Sequence, residues 1–165
     1  MRNRDDESAT NPTTPSQTLA TPKSARVGPE IRSASQLAAF AKTADNEIYW
    51  AGPRPATRYE LTQLSDGRVY VRYLPSGVAA GSKRALLTIA TYPFVNAFAA
   101  TLKSSTEPNT VRVDTGAGAV AFYRSGFEKN VYVAFDGSDV QIEVFGPVAG
   151  RPASLVSSGQ IVAVG

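Results

Sequence analysis

Few residues of this chain can do chemistry by type and spacing. Asp136 and Asp139 flank Gly137-Ser138, so two carboxylates fall within one turn and could together hold Ca²⁺ or Mg²⁺. The alternating oxygen ligands and closing glutamate of an EF-hand are not in the pattern, and the same four residues make a good hairpin turn, which is the preferred reading. A second group is a stripe in which Arg68, Tyr70 and Arg72 alternate, with Arg58 on the neighbouring segment. Cations interleaved with an aromatic on a sheet face can follow a phosphate backbone and stack a base. The plainer alternative is a solvated face with Tyr70 packed between arginine stems. A third is the corner Tyr49-Trp50-Ala51-Gly52-Pro53-Arg54, read either as a contact surface or as core.

The 165 residues include no histidine and no cysteine. Ser-His-Asp and Cys-His nucleophilic sites, cysteine and histidine metal centres and disulfide frameworks are thereby excluded, leaving carboxylate, lysine, serine or tyrosine chemistry. Within that remainder, Val113-Asp114-Thr115-Gly116-Ala117 resembles the loop of retropepsin-like aspartic proteases. The resemblance implies Asp114 as catalytic acid, Thr115 as its supporting hydroxyl and Gly116 as the turn residue, in a pair of carboxylates sharing one proton. It covers five residues. The chain supplies only one such loop, so a peptidase of this kind would act as a homodimer. A turn between strands accounts for the same residues.

The elements that must position these groups can be read from periodicity. Ser33 or Ser35 is placed to cap a helix over residues 36–42, with Leu37, Phe40, Ala41 and Ala44 on one face. Pro53 and Pro55 forbid a helix after Trp50 and force a change of direction. From Arg58 the apolar period becomes two, and Asp66-Gly67 signals a hairpin that puts Val69, Val71 and Tyr73 on the face opposite the arginine stripe. A strand near residues 86–92 follows, and Pro93 is expected to open a helix that turns Phe94, Ala97, Phe98 and Leu102 inward. Strands are expected over 110–113, 119–123, 131–135 and 140–145, then a short helix over 153–158 and a last strand over 161–164. Both halves run hairpin, strand, proline, helix, strand, which suggests an internal duplication.

Charge is uneven along the chain: residues 50–90 hold six cations against two acids, and residues 107–165 hold four against six. The net charge of +3 contains no run of Lys/Arg suited to a nucleic-acid arm. Residues 1–32, rich in Ser, Thr and Pro, cannot bury enough apolar surface to offset ordering entropy and are expected to form a disordered leader. Residues 33–165 are left as one domain.

The runs Tyr49-Trp50-Ala51-Gly52-Pro53-Arg54-Pro55, Gly67-Arg68-Val69-Tyr70-Val71-Arg72-Tyr73-Leu74-Pro75 and Leu87-Thr88-Ile89-Ala90-Thr91-Tyr92-Pro93 resemble an uncharacterised family of actinobacterial proteins. Its members typically carry an N-terminal transmembrane anchor, a Pro/Ser/Thr linker and one such domain. The resemblance implies an exported domain at the cell envelope when an anchor precedes Met1, whereas the chain as given would be cytoplasmic. It supplies no active site. The expectation is therefore an α+β domain, a twisted and largely antiparallel sheet of six to eight strands with two or three helices on one face. It would act without catalysis or cofactor, binding a protein or small ligand through Tyr49, Trp50, Arg54, Arg58, Arg68, Tyr70 and Arg72. Nucleic acid is not expected as a partner, single-stranded binding through the arginine stripe being the alternative, and a membrane is expected only through an anchor.

Overall fold

The computed structural model describes residues 25–165; residues 1–24 of the expected leader lie outside the described residues. Eight antiparallel strands form one sheet: β1 (Val27–Arg32), β3 (Arg58–Gln63), β4 (Val69–Leu74), β5 (Thr88–Pro93), β6 (Thr110–Val113), β7 (Ala119–Arg124), β8 (Asn130–Phe135) and β9 (Val140–Phe145). Their order across the sheet is β1-β3-β4-β5-β9-β8-β7-β6. Two short strands, β2 (Tyr49–Trp50) and β10 (Val162–Ala163), pair separately. The helices are α1 (Ala34–Ala41), α2 (Ala97–Ser104) and α3 (Arg151–Ser157). The α+β class and the antiparallel sheet are as the periodicity indicates.

Alternation along the strands gives the sheet two faces. On the first, Tyr59, Leu61, Val69, Val71, Tyr73, Ile89, Val131, Val133, Ile142 and Val144 join Leu37 of α1, Tyr49 and Trp50 of β2, and Leu155 and Val156 of α3 in one core. On the second, Ala97 and Phe98 of α2 pack on Val120 and Ala134. The helices thus divide between the faces, which corrects the expectation of a single helical face. The physical reason lies in β7 and β8: Val120, Ala121 and Phe122 are buried in succession, as are Val133 and Ala134, so these strands need cover on both sides.

Three boundaries also differ. The folded domain starts before Ser33, because Val27–Arg32 pairs with β3 as an edge strand, and Ile31 packs on Leu74, Val78 and Leu86. An edge strand needs only one neighbour, so it forms from residues too polar to announce it. Gly28 lies against β3 so closely that a Cβ there would stand 2.1 Å from the Leu61 carbonyl oxygen. Pro93 ends β5 rather than opening a helix; α2 begins at Ala97, and Phe94 and Leu102 are exposed. The first helix begins at Ala34, two residues before the expected span of 36–42, since Ser33 and Gln36 form a reciprocal capping box.

The two halves meet at the β5–β9 pair, each contributing four strands followed by a helix. A duplicated chain would give this strand order, but α2 and α3 lie on opposite faces and break the correspondence.

Candidate functional site

At one end of the sheet the connections 51–57, 75–87 and 146–150 converge beside α3. What fixes the first is a pair of tyrosines on the buried face. The Tyr73 hydroxyl accepts from the Ala51 N–H at 2.7 Å and donates to the Gly52 carbonyl at 3.0 Å, while the Tyr59 hydroxyl accepts from the Arg54 N–H at 2.8 Å. Burial pushes the Tyr73 phenol well above its ordinary pKa, so it stays a neutral donor and acceptor. The Arg54 guanidinium lies over the Tyr73 ring, 5.1 Å from its centroid. This stacking holds a cation in place without neutralising it.

Connection 75–87 is fastened by charge. Glu60, 2% exposed, accepts from Arg72 at 2.6 Å and from the Gly81 N–H at 2.5 Å. Arg72 donates further to the Ser82 and Arg84 carbonyls, and Arg58 donates to the Val78 carbonyl. Beneath these bonds Leu74, Val78 and Leu86 form a small apolar cluster.

Between the fastened connections lie two adjoining cavities, of about 730 and 580 Å³, that share Arg54, Pro55, Thr57, Val148 and Arg151 as walls. The first is completed by Ser154, Leu155 and Gln160, the second by Tyr73, Leu86, Leu87 and Pro147 among others. No carboxylate lines either. The ion pairs among the described residues are Arg32–Glu30, Arg68–Asp66, Arg72–Glu60 and Arg124–Glu107, which leaves both Arg54 and Arg151 without one.

The structure places the sequence-derived candidates as follows. Arg54 is in the cleft. Tyr49 and Trp50 are core residues, 6% and 7% exposed, with Tyr49 stacked on Phe135 and Trp50 edge-on to Tyr59. They build the corner from behind. Of the arginine stripe, Arg58 and Arg72 are engaged in holding connection 75–87, Arg68 pairs with Asp66, and Tyr70 meets Tyr92 edge to face. Asp114 sits in the exposed β6–β7 connection at the outer edge of the sheet, its carboxylate accepting from the Gly116 N–H at 3.3 Å while Thr115 donates to the Ala119 carbonyl at 2.9 Å. Asp139 accepts from the Asn96 N–H at 2.9 Å and so ties the β8–β9 turn to the approach to α2; Asp136 lies at the head of that turn. Among the described residues no group of three or more acids could enclose a metal ion.

Reading the sequence did not find Arg151, Val148, Thr57, Ser154 or Gln160. One signal was available: Gly52-Pro53-Arg54-Pro55 has a looser counterpart in Gly146-Pro147-Val148-Ala149-Gly150-Arg151-Pro152, and both arginines, each before a proline, line the cleft. Compared with known proteins, the chain matches no family model, no curated protein and no solved structure.

Proposed function

We propose that this domain is a non-enzymatic binding module whose ligand occupies the cleft between connections 51–57, 75–87 and 146–150. The observation that carries the reading is the pair of adjoining cavities sharing Arg54 and Arg151, each within the roughly 300–1,000 Å³ typical of ligand sites. Arginine, hydroxyl, amide and apolar groups suit recognition, and the one phenol at the site, Tyr73, is engaged on both its donor and acceptor sides. Display at the cell envelope, which the family resemblance implies, belongs to the same proposal; no described helix is long and apolar enough to cross a membrane.

A fragment screen followed by amide chemical-shift mapping tests the reading. Shifts should concentrate on residues 54–57, 85–87, 146–151 and 154–160. Shifts confined to the Arg68/Tyr70 strand face, or to the Asp114 connection, would overturn it in favour of the nucleic-acid or peptidase alternative.

A further inference from the structure

Two cations that share a cavity and have no acid beside them repel one another, and the fold keeps them together. Arg54 is tethered by its N–H to Tyr59 and by its guanidinium to the Tyr73 ring, so its position is set before any ligand arrives. Arg151 opens α3, whose place is fixed by Leu155 and Val156 in the core. A guanidinium presents a planar fork of donors that matches an oxyanion. The second cavity differs in character from the first: away from the arginines its walls are mainly apolar, with Leu86, Leu87, Pro75 and Pro147 among them beside the hydroxyls of Thr57 and Ser76.

We infer that the cleft takes an amphiphile with one oxyanion head, the head set between Arg54 and Arg151 and the apolar part lying along Leu86, Leu87 and Pro147. The inference rests on the cleft being the binding site and adds the ligand's chemistry. The head neutralises two cations that the protein leaves uncompensated, and the tail covers apolar wall that is otherwise wet. Carboxylate and phosphate monoester share this chemistry.

The test is calorimetric titration of the full chain with decanoate, decyl phosphate, decanol, acetate and inorganic phosphate. At least one of the two charged decyl compounds should bind, and which of them binds tighter identifies the head. Decanol, lacking the head, and acetate and inorganic phosphate, lacking the tail, should each bind about tenfold more weakly or less. Arg54→Gln and Arg151→Gln should each weaken the preferred decyl anion by about tenfold, Arg54→Lys by less because the charge survives without the fork, and Lys42→Gln on α1's far end should leave it unchanged. Circular dichroism of each variant checks that it is folded. Decanol binding as tightly as decanoate, with shifts in the cleft, would overturn the anion preference and keep the site. Failure of every probe to bind, with fragments still shifting the cleft, would overturn the amphiphile and keep the site; failure of the fragments as well would overturn both.

Discussion

Replacing Glu60 with alanine should unfasten connection 75–87 from the sheet and cost the fold a large part of its stability. Glu60 is almost wholly buried, and the side chain of its partner Arg72 is 19% exposed, so the 2.6 Å pair sits mostly out of water. Removing one member of a buried ion pair costs roughly 3–5 kcal/mol because the other is left without a countercharge. Arg72 keeps the Ser82 and Arg84 carbonyls and some access to water, which puts Glu60→Ala near the lower end, at about 3 kcal/mol. Arg72→Ala should cost more, since the carboxylate it strands is the deeper group. Against a total stability of roughly 5–15 kcal/mol either change is severe. The double replacement Glu60→Leu/Arg72→Met, which removes both charges and keeps the volume, should be less destabilised than Arg72→Ala alone. Urea unfolding followed by circular dichroism gives the energies, and hydrogen exchange should show the amides of residues 78–84 losing protection first. A cost below about 1 kcal/mol for Glu60→Ala, or single effects that simply add, would refute the view that this pair holds the cleft's wall.

Trp50, the only tryptophan, should emit as a buried indole and resist quenching by iodide, and Trp50→Ala should cost about 3–5 kcal/mol in thermal or urea unfolding; a red-shifted, quenchable emission would remove it from the core. Burial, followed by the hydrogen bond to Glu47, pushes the Tyr49 phenol up to about 12, and Tyr73 and Tyr92 shift in the same direction. Their folded pKa values lie above the unfolded value near 10, so this contribution is fully present below about pH 10 and is lost as pH rises towards 12; unfolding midpoints measured across that window should fall, and a flat profile would contradict the burial of these rings. Gly28→Ala meets the Leu61 carbonyl oxygen as well as a φ of +75°, and should lower the thermal midpoint by several degrees, clearly more than Gly77→Ala, which shares the positive φ, at +79°, but has open space around it. Asp114→Asn keeps a side-chain acceptor for the Gly116 N–H and should change stability by less than about 1 kcal/mol, with no peptide cleavage by either protein at acidic pH; pepstatin-sensitive proteolysis by the wild type would restore the peptidase reading.

Much of the architecture is written locally. Strand β4 alternates Val69, Val71 and Tyr73 with Tyr70 and Arg72, and the periodicity alone assigns which residues enter the core. Ser33 with Gln36 specifies where α1 begins, and Asp66-Gly67 specifies the β3–β4 turn. The difficulty came where burial does not alternate. Val120-Ala121-Phe122 reads as one more strand, yet its successive burial is what calls α2 to the second face. Strand β1 carries too little apolar surface to be recognised until β3 lies beside it.

For the cleft, composition and short-range spacing supply the ingredients: no histidine or cysteine, a proline-locked corner at Arg54, and no acid within four residues of either Arg-Pro pair. Local types and short-range spacing suffice for such statements, because proline's fixed φ and a missing thiol need no partner. Tertiary structure alone decided that Arg54 and Arg151, 97 positions apart, line the same cavities, that Trp50 supports the corner from within the core, and that Arg58 and Arg72 are engaged in holding a connection. The first of these depends on the β5–β9 pairing that joins the two halves, the others on side chains meeting across β3, β4 and their connections. No periodicity along the chain encodes which distant strands will share a hydrogen-bonded edge.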